Sequence, residues 1–358
     1  MRILHVITSL YTGGAEKLMT DLLPRLKEKG IEVELCVFNG TVTPFYEQLK
    51  NDGITIHSFG NGSVYNPLHI FKLIHLIKKG NFDIIHTHNT ASQLFGAIAS
   101  LFTNKKICTT EHSTSNRRRN WRFYRSVDRM MYNRYDHIIC ISPETKFNLL
   151  NSLSRISCPI SIIYNGVALN KFNIQSDNIL PKKNRYKTII QVAGFRPEKD
   201  QDTTIKALKY LSDKYHLYLV GDGIRHNDLK NLVETLSLNK RVHFLGIRND
   251  IPQLISYADF VVMSSHWEGF GLAAVEGMAA GKPVIASDVD GLREVVAGAG
   301  VLFESGNEKD LAEKIMQLDS NSELYESISK KCIERAKEFD ISKMVDGYMQ
   351  IYTLIENI

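Results

Sequence analysis

Short apolar runs alternate with amphipathic stretches along the whole chain. The runs predict strands at residues 3–8, 33–38, 54–59, 83–88, 106–112, 137–142, 160–167, 188–194, 216–223, 242–246, 259–265, 283–288 and 301–303. Between them, apolar positions recur with the spacing of helices, for example over 14–29 and 67–79. Strands that alternate with helices indicate βαβ units and a parallel sheet.

The alternation is interrupted once, near the middle of the chain. Residues 170–187 are polar, contain Asn, Asp and Pro, and are typical of a linker. A chain of 358 residues is also too long for one core. We therefore predict an α/β protein with two Rossmann-like, doubly wound parallel-sheet domains facing a cleft. Their expected bounds are 1–170 and 171–340, followed by a C-terminal helix over 341–358.

Composition narrows the class of protein. Hydrophobic residues make up 43% and charged residues 23%, as in soluble globular proteins. No apolar run approaches the roughly 18 residues that span a bilayer, and the N-terminus is typical of a first strand, not of a signal peptide. The five cysteines are scattered and never form CxxC, which argues against a disulfide framework or a zinc site. We expect a cytoplasmic protein.

The net charge of +5 is distributed unevenly. Residues 1–170 hold 20 Lys and Arg against 12 Asp and Glu, whereas residues 171–358 hold 24 against 27. The first half is therefore the better candidate for contact with an anionic partner. Nucleic acid, a lipid headgroup and a phosphorylated acceptor all satisfy that condition.

The sharpest chemical motif is EGFGLAAVE, from Glu268 to Glu276, directly after a predicted strand. Gly269, Phe270 and Gly271 are predicted to begin a helix, whose free N–H groups and positive dipole end suit a diphosphate. If the whole stretch is helical, the two carboxylates stand about 9–12 Å apart along the axis. That separation suits a nucleotide sugar, with one carboxylate at the hexose and one at the ribose diol. The alternative is a capped helix with two solvated glutamates.

Two further motifs follow predicted strands. In GFRPEKD, residues 194–200, Arg196 and Lys199 lie at the carboxyl end of a strand, where doubly wound sheets bind ligands. Two cations there could neutralise a diphosphate and stabilise a leaving nucleotide; a solvated charged turn is the alternative. In GGAE, Gly13 and Gly14 allow close approach of the backbone to a ligand, although a lone glycine pair is a weak signal.

The ordered set of motifs resembles family 4 of the glycosyltransferases, a retaining family with the GT-B fold. The resemblance covers nearly the whole chain and rests on GGAE (13–16), TTEH (109–112), NGV (165–167), FRPEK (195–199), GDG (221–223), FLG (244–246), EGFG (268–271) and GLRE (291–294). It implies transfer of a hexose or N-acetylhexosamine from a nucleotide diphosphate sugar onto a sugar acceptor, with UDP the expected nucleotide and GDP the alternative. It also implies that the last helix crosses back onto the first domain.

The resemblance assigns roles to individual residues. Glu268 would contact hydroxyls of the donor sugar and Glu276 the ribose, while Arg196 and Lys199 would hold the diphosphate and stabilise the leaving nucleotide. His112 would lie near the reacting carbon and a donor hydroxyl. The other expected donor-site positions are Gly13, Gly14, Ile247, Arg248, Gly269, Phe270, Gly271 and Leu272. Attack would occur on the face that the nucleotide leaves.

Two patterns invite a metal interpretation. Asp288-Val289-Asp290 matches a DxD motif, but its place before GLRE favours a loop beside the donor. His86 and His88 lie on one face of a strand, and no third ligand is evident from the sequence. We therefore expect neither a metal nor another cofactor. His88 is an alternative to His112 as the functional histidine, whereas His86 is expected to affect mainly stability.

A basic stripe is predicted within residues 117–134, where Arg118, Arg122, Arg125 and Arg129 recur at helical spacing. Apolar side chains accompany the stripe: Trp121, Phe123, Tyr124, Val127, Met130 and Met131. Basic residues flanked by aromatics are typical of an interfacial helix. We predict peripheral contact with the inner face of the cytoplasmic membrane or with a lipid-linked oligosaccharide acceptor used in surface glycan assembly. In the alternative, the apolar residues pack on the core and the basic face is solvated.

Three other functions remain open at this point. A nicotinamide-dependent oxidoreductase would share the α/β rhythm, but it requires GxGxxG and a later acidic residue, which GGAE does not match. A nonhydrolysing nucleotide-sugar epimerase shares the two-domain architecture and lacks the EGFG pattern. A nucleic-acid-binding protein would explain the basic half, but the chain carries no recognised binding motif, so no nucleic-acid partner is expected.

Overall fold

The protein is represented by a computed structural model that describes residues 1–11, 13–113, 121–153, 155–172, 174 and 186–357. The chain divides into two compact units. Unit 1 comprises Met1–Gly166 and Ile341–Ile358, and unit 2 comprises Val167–Asp340. The chain thus enters unit 2 shortly before the expected boundary at 170.

Unit 1 is built on a seven-stranded sheet with the order β3-β2-β1-β4-β5-β6-β7, in which every pair of neighbours is parallel. The strands are β1 (Arg2–Ile7), β2 (Glu32–Val37), β3 (Thr55–Ser58), β4 (Ile84–His88), β5 (Lys106–Glu111), β6 (His137–Cys140) and β7 (Ile160–Ile162). The helices between them are α1 (Gly14–Glu28), α2 (Pro44–Asn51), α3 (Leu68–Gly80), α4 (Thr90–Thr103), α5 (Arg122–Tyr132) and α6 (Pro143–Ser152).

Unit 2 repeats this architecture with a six-stranded parallel sheet of order β10-β9-β8-β11-β12-β13. The strands are β8 (Lys187–Val192), β9 (Tyr215–Val220), β10 (Val242–Gly246), β11 (Phe260–Met263), β12 (Val284–Ser287) and β13 (Val301–Phe303). The helices are α7 (Gln201–Ala207), α8 (His226–Thr235), α9 (Ile251–Tyr257), α10 (Leu272–Ala279), α11 (Leu292–Val296), α12 (Glu308–Ser320) and α13 (Ser322–Ala336).

The last helix, α14 (Ile341–Glu356), belongs to unit 1. It packs against α1, and its inward face includes Tyr348 and Tyr352, both fully buried. Two large aromatic side chains that are removed from water contribute strongly to packing, and each brings a hydroxyl that needs a hydrogen-bond partner. Helix α14 therefore inserts polar groups into the interior of unit 1.

In each sheet the strand order reverses at one point, and that point determines where ligands can bind. In unit 1 the reversal lies between β1 and β4, and in unit 2 it lies between β8 and β11. Loops from the carboxyl ends of such strand pairs diverge to opposite faces and leave a crevice between them. The residues after β1, β4, β8 and β11 are therefore the first candidates for binding.

The predicted α/β class and its parallel sheets are confirmed, and the thirteen predicted strands are all present in the described residues, most of them shorter than predicted. The largest reduction is at 160–167, where the strand is limited to Ile160–Ile162 and Val167 forms only an isolated bridge with Asp340. Among the described residues, no helix has both the length and the apolar composition required to cross a membrane.

Candidate functional site

The two charged motifs of unit 2 meet at the carboxyl ends of β8 and β11. Lys199 Nζ lies 2.5 Å from Glu268 Oε1, and Ser265 Oγ donates a hydrogen bond of 2.9 Å to the same carboxylate oxygen. Only 9% of Glu268 is exposed. The pair therefore combines a cation and a carboxylate, both largely shielded from solvent, at the expected ligand-binding edge of the sheet.

Hydrogen bonds between buried polar groups connect the loop after β8 with the loop after β11. Gln191 Nε2, on β8, donates to the carbonyl oxygen of Lys199 at 3.1 Å and to Ser264 Oγ at 2.9 Å. The backbone N–H of His266 donates to the carbonyl oxygen of Glu198 at 2.8 Å. Because buried polar groups are costly to leave unpaired, these bonds fix the backbone that carries Lys199 and Glu268.

Helix α10 begins later than the sequence predicts. Gly271 is its N-cap, with φ of 85°, and Leu272 is its first residue, so Gly269 and Phe270 precede the helix. Glu276 stands on the helix, but Glu268 lies in the loop before it. The separation of about 9–12 Å assumed a helix throughout and does not apply.

The side chain of Phe270 is buried, with 2% exposed, and packs edge to face on Phe339 at a ring separation of 5.2 Å. Only its backbone can therefore reach a ligand. The first turn of α10 leaves N–H groups without helical partners, and these groups and the helix dipole favour an anion. The helix start therefore remains a candidate anion site, but it lies at Gly271 and Leu272.

The GLRE motif packs against the loop that carries Glu268. A Cβ on Gly291, where φ is 82°, would lie 2.5 Å from the carbonyl oxygen of Glu268, so only glycine permits this approach. Arg293 Nε lies 2.5 Å from Asp288 Oδ1, and its Nη1 lies 3.4 Å from Asp290 Oδ1. Both carboxylates of the DxD pattern are thus paired with one arginine.

Three other expected donor-site residues lie on the surface of unit 2. Arg196 is exposed and forms no ion pair with a carboxylate of any described residue. Ile247 is 56% exposed just after β10. Arg248 is paired through Nε with Asp250 Oδ1 at 2.7 Å. Arg196 is therefore available to an anionic ligand, whereas Arg248 already has a partner.

Unit 1 contains a pocket of about 340 Å³ at the carboxyl ends of its strands. Its lining residues are Thr8, Val64, Tyr65, Asn89, Thr90, Ala91, Gln93, Glu111, His112 and Ser113. Glu111 is buried and accepts a hydrogen bond from the hydroxyl of Tyr132. Asn89 Nδ2 donates to Glu16 Oε1 at 3.3 Å, which links the pocket to α1. Gly13 is the N-cap of α1 and Gly14 its first residue.

Behind His112, three more histidines lie in contact inside the sheet. His112 Nε2 is 3.0 Å from His88 Nδ1, and His88 Nε2 is 3.0 Å from His5 Nδ1. His5 and His86 are register partners on β1 and β4. The rings of His86 and His88 stack with centroids 4.3 Å apart. His5, His86 and His88 are fully buried.

Hydroxyl groups complete this cluster. His86 Nδ1 lies 2.7 Å from the hydroxyl of Tyr352, and His86 Nε2 lies 2.8 Å from Thr110 Oγ1. The hydroxyl of Tyr352 also reaches His5 Nε2, at 3.4 Å. Thr110 Oγ1 is 3.1 Å from the hydroxyl of Tyr348. Every ring nitrogen of the three buried histidines therefore has a hydrogen-bond partner.

Burial keeps these imidazoles neutral. Desolvation lowers the pKa of His5 to about 3. Burial also lowers the pKa of His112 to about 4, against an opposing effect of Glu111. Burial and then the neighbouring imidazoles hold the pKa values of His86 and His88 well below their usual range. At neutral pH each ring carries one proton, which restricts which nitrogen donates.

His5 is the residue that sequence reasoning missed. The sequence offered His86 and His88 without a third imidazole, but the pairing of β1 with β4 brings His5 beside them. Ring nitrogens of the three residues lie within 4.8 Å of one another, a spacing that could also hold a metal ion. No local pattern marks His5, because it lies 81 positions before His86 in the chain.

Part of the basic stripe is present on α5. Arg118 lies outside the described residues, as does the side chain of Arg122; Arg125 is exposed and Arg129 is half-buried. Four apolar side chains are exposed: Trp121 (70%), Phe123 (73%), Tyr124 (44%) and Met130 (77%). Met131 is instead buried in the core, and Val127 is half-buried. The exposed surface of α5 is thus both basic and aromatic.

Comparison with known sequences gives the family. Residues 173–338 match the family Glycosyl transferases group 1, and residues 12–171 match Glycosyltransferase Family 4. An uncharacterized glycosyltransferase of Methanocaldococcus jannaschii is 31% identical over 357 residues, covering 96% of this chain and 95% of that protein. The UDP-Gal:alpha-D-GlcNAc-diphosphoundecaprenol alpha-1,3-galactosyltransferase of Escherichia coli is 26% identical, covering 98% and 96%.

Comparison with solved structures gives the fold. Anabaena HepE, solved in complex with UDP and glucose, superposes with a TM-score of 0.86 at 23% identity, covering 99% of both chains. At that identity the likeness establishes the fold, which is GT-B. Together with the family matches over both halves of the sequence, it establishes that this chain is a glycosyltransferase and a member of glycosyltransferase family 4.

Proposed function

We propose that the protein is a retaining glycosyltransferase that transfers a hexose or N-acetylhexosamine from a UDP-sugar onto a lipid-linked oligosaccharide. The observation that carries this proposal is the ion pair between Lys199 and Glu268, which lies beside the start of α10. This arrangement offers a cation and a helix N-terminus to a diphosphate, and a carboxylate to sugar hydroxyls.

The geometry supports different ligand contacts for the cations and for the carboxylates of unit 2. Lys199 has three N–H donors, of which Glu268 Oε1 engages one, so the same ammonium can also contact a phosphate. Arg196 adds a second, exposed cation nearby in the chain. Glu276, one turn into α10, is suited to a ribose diol because a carboxylate accepts two hydroxyl hydrogen bonds.

The relatives support UDP and a lipid-linked acceptor. The Escherichia coli relative is named for UDP-Gal and for an acceptor on diphosphoundecaprenol, and Anabaena HepE was solved with UDP and glucose. A UDP donor agrees with a binding site for a diphosphate, and a diphosphate-linked acceptor agrees with the basic charge of the first half of the sequence.

Activity is proposed not to require a divalent cation. Lys199, Arg196 and the start of α10 supply positive charge where a metal would otherwise neutralise the diphosphate. The ion pairs of Arg293 with Asp288 and Asp290 compensate the two carboxylates that would otherwise form a DxD site. In the retaining mechanism, the acceptor attacks on the face from which UDP departs, and a phosphate oxygen of the leaving UDP takes the acceptor's proton.

Helix α5 is the proposed contact with the lipid part of the acceptor or with the membrane surface. Its exposed aromatic residues and Arg125 match the composition of an interfacial helix. Each basic residue near an anionic leaflet contributes about 1 kcal/mol, so the attachment is expected to be reversible and sensitive to salt.

A thermal-shift screen with UDP, GDP and several UDP-sugars tests the donor. A ligand at 100 times its Kd stabilises the folded protein by about 2.7 kcal/mol, so UDP should raise Tm and GDP should not.

Transfer to a lipid-linked acceptor is then measured with excess EDTA, and NMR of the product gives the anomeric configuration. Dependence on added Mg²⁺ or Mn²⁺, or an inverted product, contradicts the corresponding part of the proposal.

Co-sedimentation with liposomes tests the membrane contact. The variant carries serine at Arg118, Arg122, Arg125 and Arg129, and it should lose binding to anionic liposomes at low salt. A control variant carries serine at four exposed lysines of unit 2, Lys209, Lys230, Lys240 and Lys330, and should bind as the wild type does. Equal binding of all three proteins, or none by the wild type, excludes the membrane surface.

A further inference from the structure

The histidine cluster of unit 1 forms one continuous chain of hydrogen bonds. The chain runs from the hydroxyl of Tyr348 through Thr110, His86, Tyr352, His5 and His88 to His112. The two contacts between imidazoles are both 3.0 Å, within the normal range for hydrogen bonds, and the contact from Tyr352 to His5, at 3.4 Å, is the weakest link. The chain ends at the pocket, because His112 lines it.

Each link of this chain needs one proton, and a neutral imidazole or a hydroxyl has one to donate. The donors therefore point the same way along the chain unless they converge on the hydroxyl of Thr110 or Tyr352. Such a hydroxyl would accept from both sides and leave its own buried hydrogen without an acceptor among the described residues, which is costly. If they pointed inward, the hydroxyl hydrogen of Tyr348 would be buried without an acceptor among the described residues, which costs about 1–3 kcal/mol. If they point outward, every buried hydrogen has an acceptor, and the last one meets the pocket.

We propose that this chain fixes His112 as the tautomer that carries its proton on Nδ1, so that His112 serves the pocket as a hydrogen-bond donor. His88 is the positioning residue, because its Nδ1–H donates to His112 Nε2 and occupies that nitrogen. No described residue accepts a hydrogen bond from His112 Nδ1, which leaves this N–H for a sugar hydroxyl or phosphate oxygen. The ligand assignment rests on the proposed function, whereas the tautomer does not.

The direction of the hydrogen bonds also assigns the tautomers of the other three histidines. His5, His86 and His88 also carry their protons on Nδ1, toward His88, Tyr352 and His112 respectively. The role of His112 follows from this direction. A nitrogen that already carries a proton and does not ionise at neutral pH donates a hydrogen bond and cannot remove a proton from the acceptor. Proton removal is left to the departing phosphate.

NMR of the full chain labelled with ¹⁵N-histidine tests the tautomers without any assay of activity. The chemical shifts and couplings of the two ring nitrogens distinguish Nδ1–H from Nε2–H, and single substitutions assign the signals. We expect His5, His86, His88 and His112 to be Nδ1–H in the wild type at pH 7.5. His112 found as Nε2–H, or protonated, overturns the proposal.

Two variants separate positioning from general packing. His88→Phe keeps an aromatic ring and removes the donor, so His112 should become a mixture of tautomers. Tyr352→Phe removes one oxygen and splits the chain. His86 then loses its acceptor and should become a mixture of tautomers, because each tautomer now leaves one buried hydrogen unpaired. His112 keeps its Nδ1 proton because His88 still donates to it. A control, Tyr135→Phe, removes an equally buried hydroxyl that bonds Thr87 and Gln93 instead, and should change no histidine tautomer.

A metal bound by His5, His86 and His88 is the competing arrangement. Zinc measured by plasma mass spectrometry should stay well below one equivalent per chain after purification without chelator, and added zinc should leave the four histidine signals in place. One equivalent of tightly held zinc, with loss of those N–H signals, overturns the hydrogen-bonded chain. The proposed function and this inference can fail separately. If His112→Ala loses transfer but the wild type does not show the predicted tautomers, the result supports the proposed function and rejects this inference.

Discussion

The two units share one architecture, but the groups at equivalent places are neutral in unit 1 and charged in unit 2. At the strand-order reversal of unit 1, buried imidazoles and hydroxyls form a neutral network behind a pocket. At the reversal of unit 2, an ammonium and a carboxylate form an ion pair that is largely shielded, with 22% of the Lys199 side chain and 10% of the Glu268 side chain exposed. The difference follows from desolvation, because a neutral hydrogen-bonded chain can be fully buried, whereas charges need solvent or an ionic partner.

The comparison also separates two roles. A neutral network with fixed donors is suited to orient one group, as preorganised dipoles do. A cation and a carboxylate that keep some access to solvent are suited to bind and release a charged ligand. The units should therefore respond differently to pH, to substitution and to ligand, and the following tests are ordered by the size of the expected effect.

Acid should destabilise unit 1 more than unit 2 between pH 7.5 and 5.5, because unit 1 holds three fully buried histidines, whereas His216 and His243, which lie in contact in unit 2, are not fully buried. The pKa of His5 is lowered to about 3 and that of His112 to about 4, so the unfolded chain binds more protons below its own histidine pKa of about 6.5. Stability is then lost as the pH falls, by up to about 1.4 kcal/mol per pH unit for each such histidine.

Unit 2 provides the internal control for that measurement. The pKa values of Asp202 and Asp319 are lowered from 3.8 by Arg225 and by Lys214 respectively, against desolvation, so their stabilising effect is lost only below about pH 4. Hydrogen exchange, read by mass spectrometry on peptides from β4 and β11, reports the free energy of opening in each unit. An equal loss of opening free energy in both units as the pH falls would contradict the proposed difference between them.

His112→Ala should fold normally and lose about 100- to 1000-fold in kcat, the usual effect of removing one preorganised donor. UDP affinity should stay within about twofold, because the nucleotide is assigned to unit 2. The paired variant His86→Ala should mainly lower Tm, since it leaves buried partners unsatisfied. Full activity of His112→Ala refutes the role of this histidine.

Glu268→Gln should lower kcat by about 10- to 150-fold, the effect of losing a hydrogen bond to a charged group worth about 1.5–3 kcal/mol. Glu276→Gln should instead raise KM for the donor and change kcat little, because the ribose is remote from the reacting carbon. Steady-state kinetics of both variants decide the orientation of the donor, and the reverse ranking would mean that the sugar lies at Glu276.

Lys199→Ala should weaken UDP binding by about tenfold, since Lys199 is partly buried and charge-assisted hydrogen bonds are strong. Arg196→Ala should have the smaller effect of about two- to fivefold, because exposed ion pairs are screened. Titration calorimetry with UDP measures both, with Lys240→Ala as the control for an exposed cation of the same unit. Wild-type affinity of Lys199→Ala and Arg196→Ala would place the diphosphate elsewhere.

Local sequence patterns were sufficient to predict the strands and helices and the loops that carry the motifs. The apolar runs predict the thirteen strands because a strand buried on both faces must be nearly continuous in apolar residues. The EGFG motif misled on one point, the helix start, because Gly271 with its positive φ caps the helix and leaves Gly269 and Phe270 in the loop. Glycine spacing does not reveal which residue adopts that conformation.

The sequence by itself determined the fold class, the family resemblance and the chemical types available at each strand end. Only the tertiary structure decided which of those groups touch. His5 joins His86 because β1 pairs with β4, and Tyr352 joins both because the last helix belongs to unit 1. Lys199 joins Glu268 because β8 pairs with β11. Sheet order depends on long-range packing of the whole unit, so contacts between residues distant in sequence cannot be inferred from local spacing.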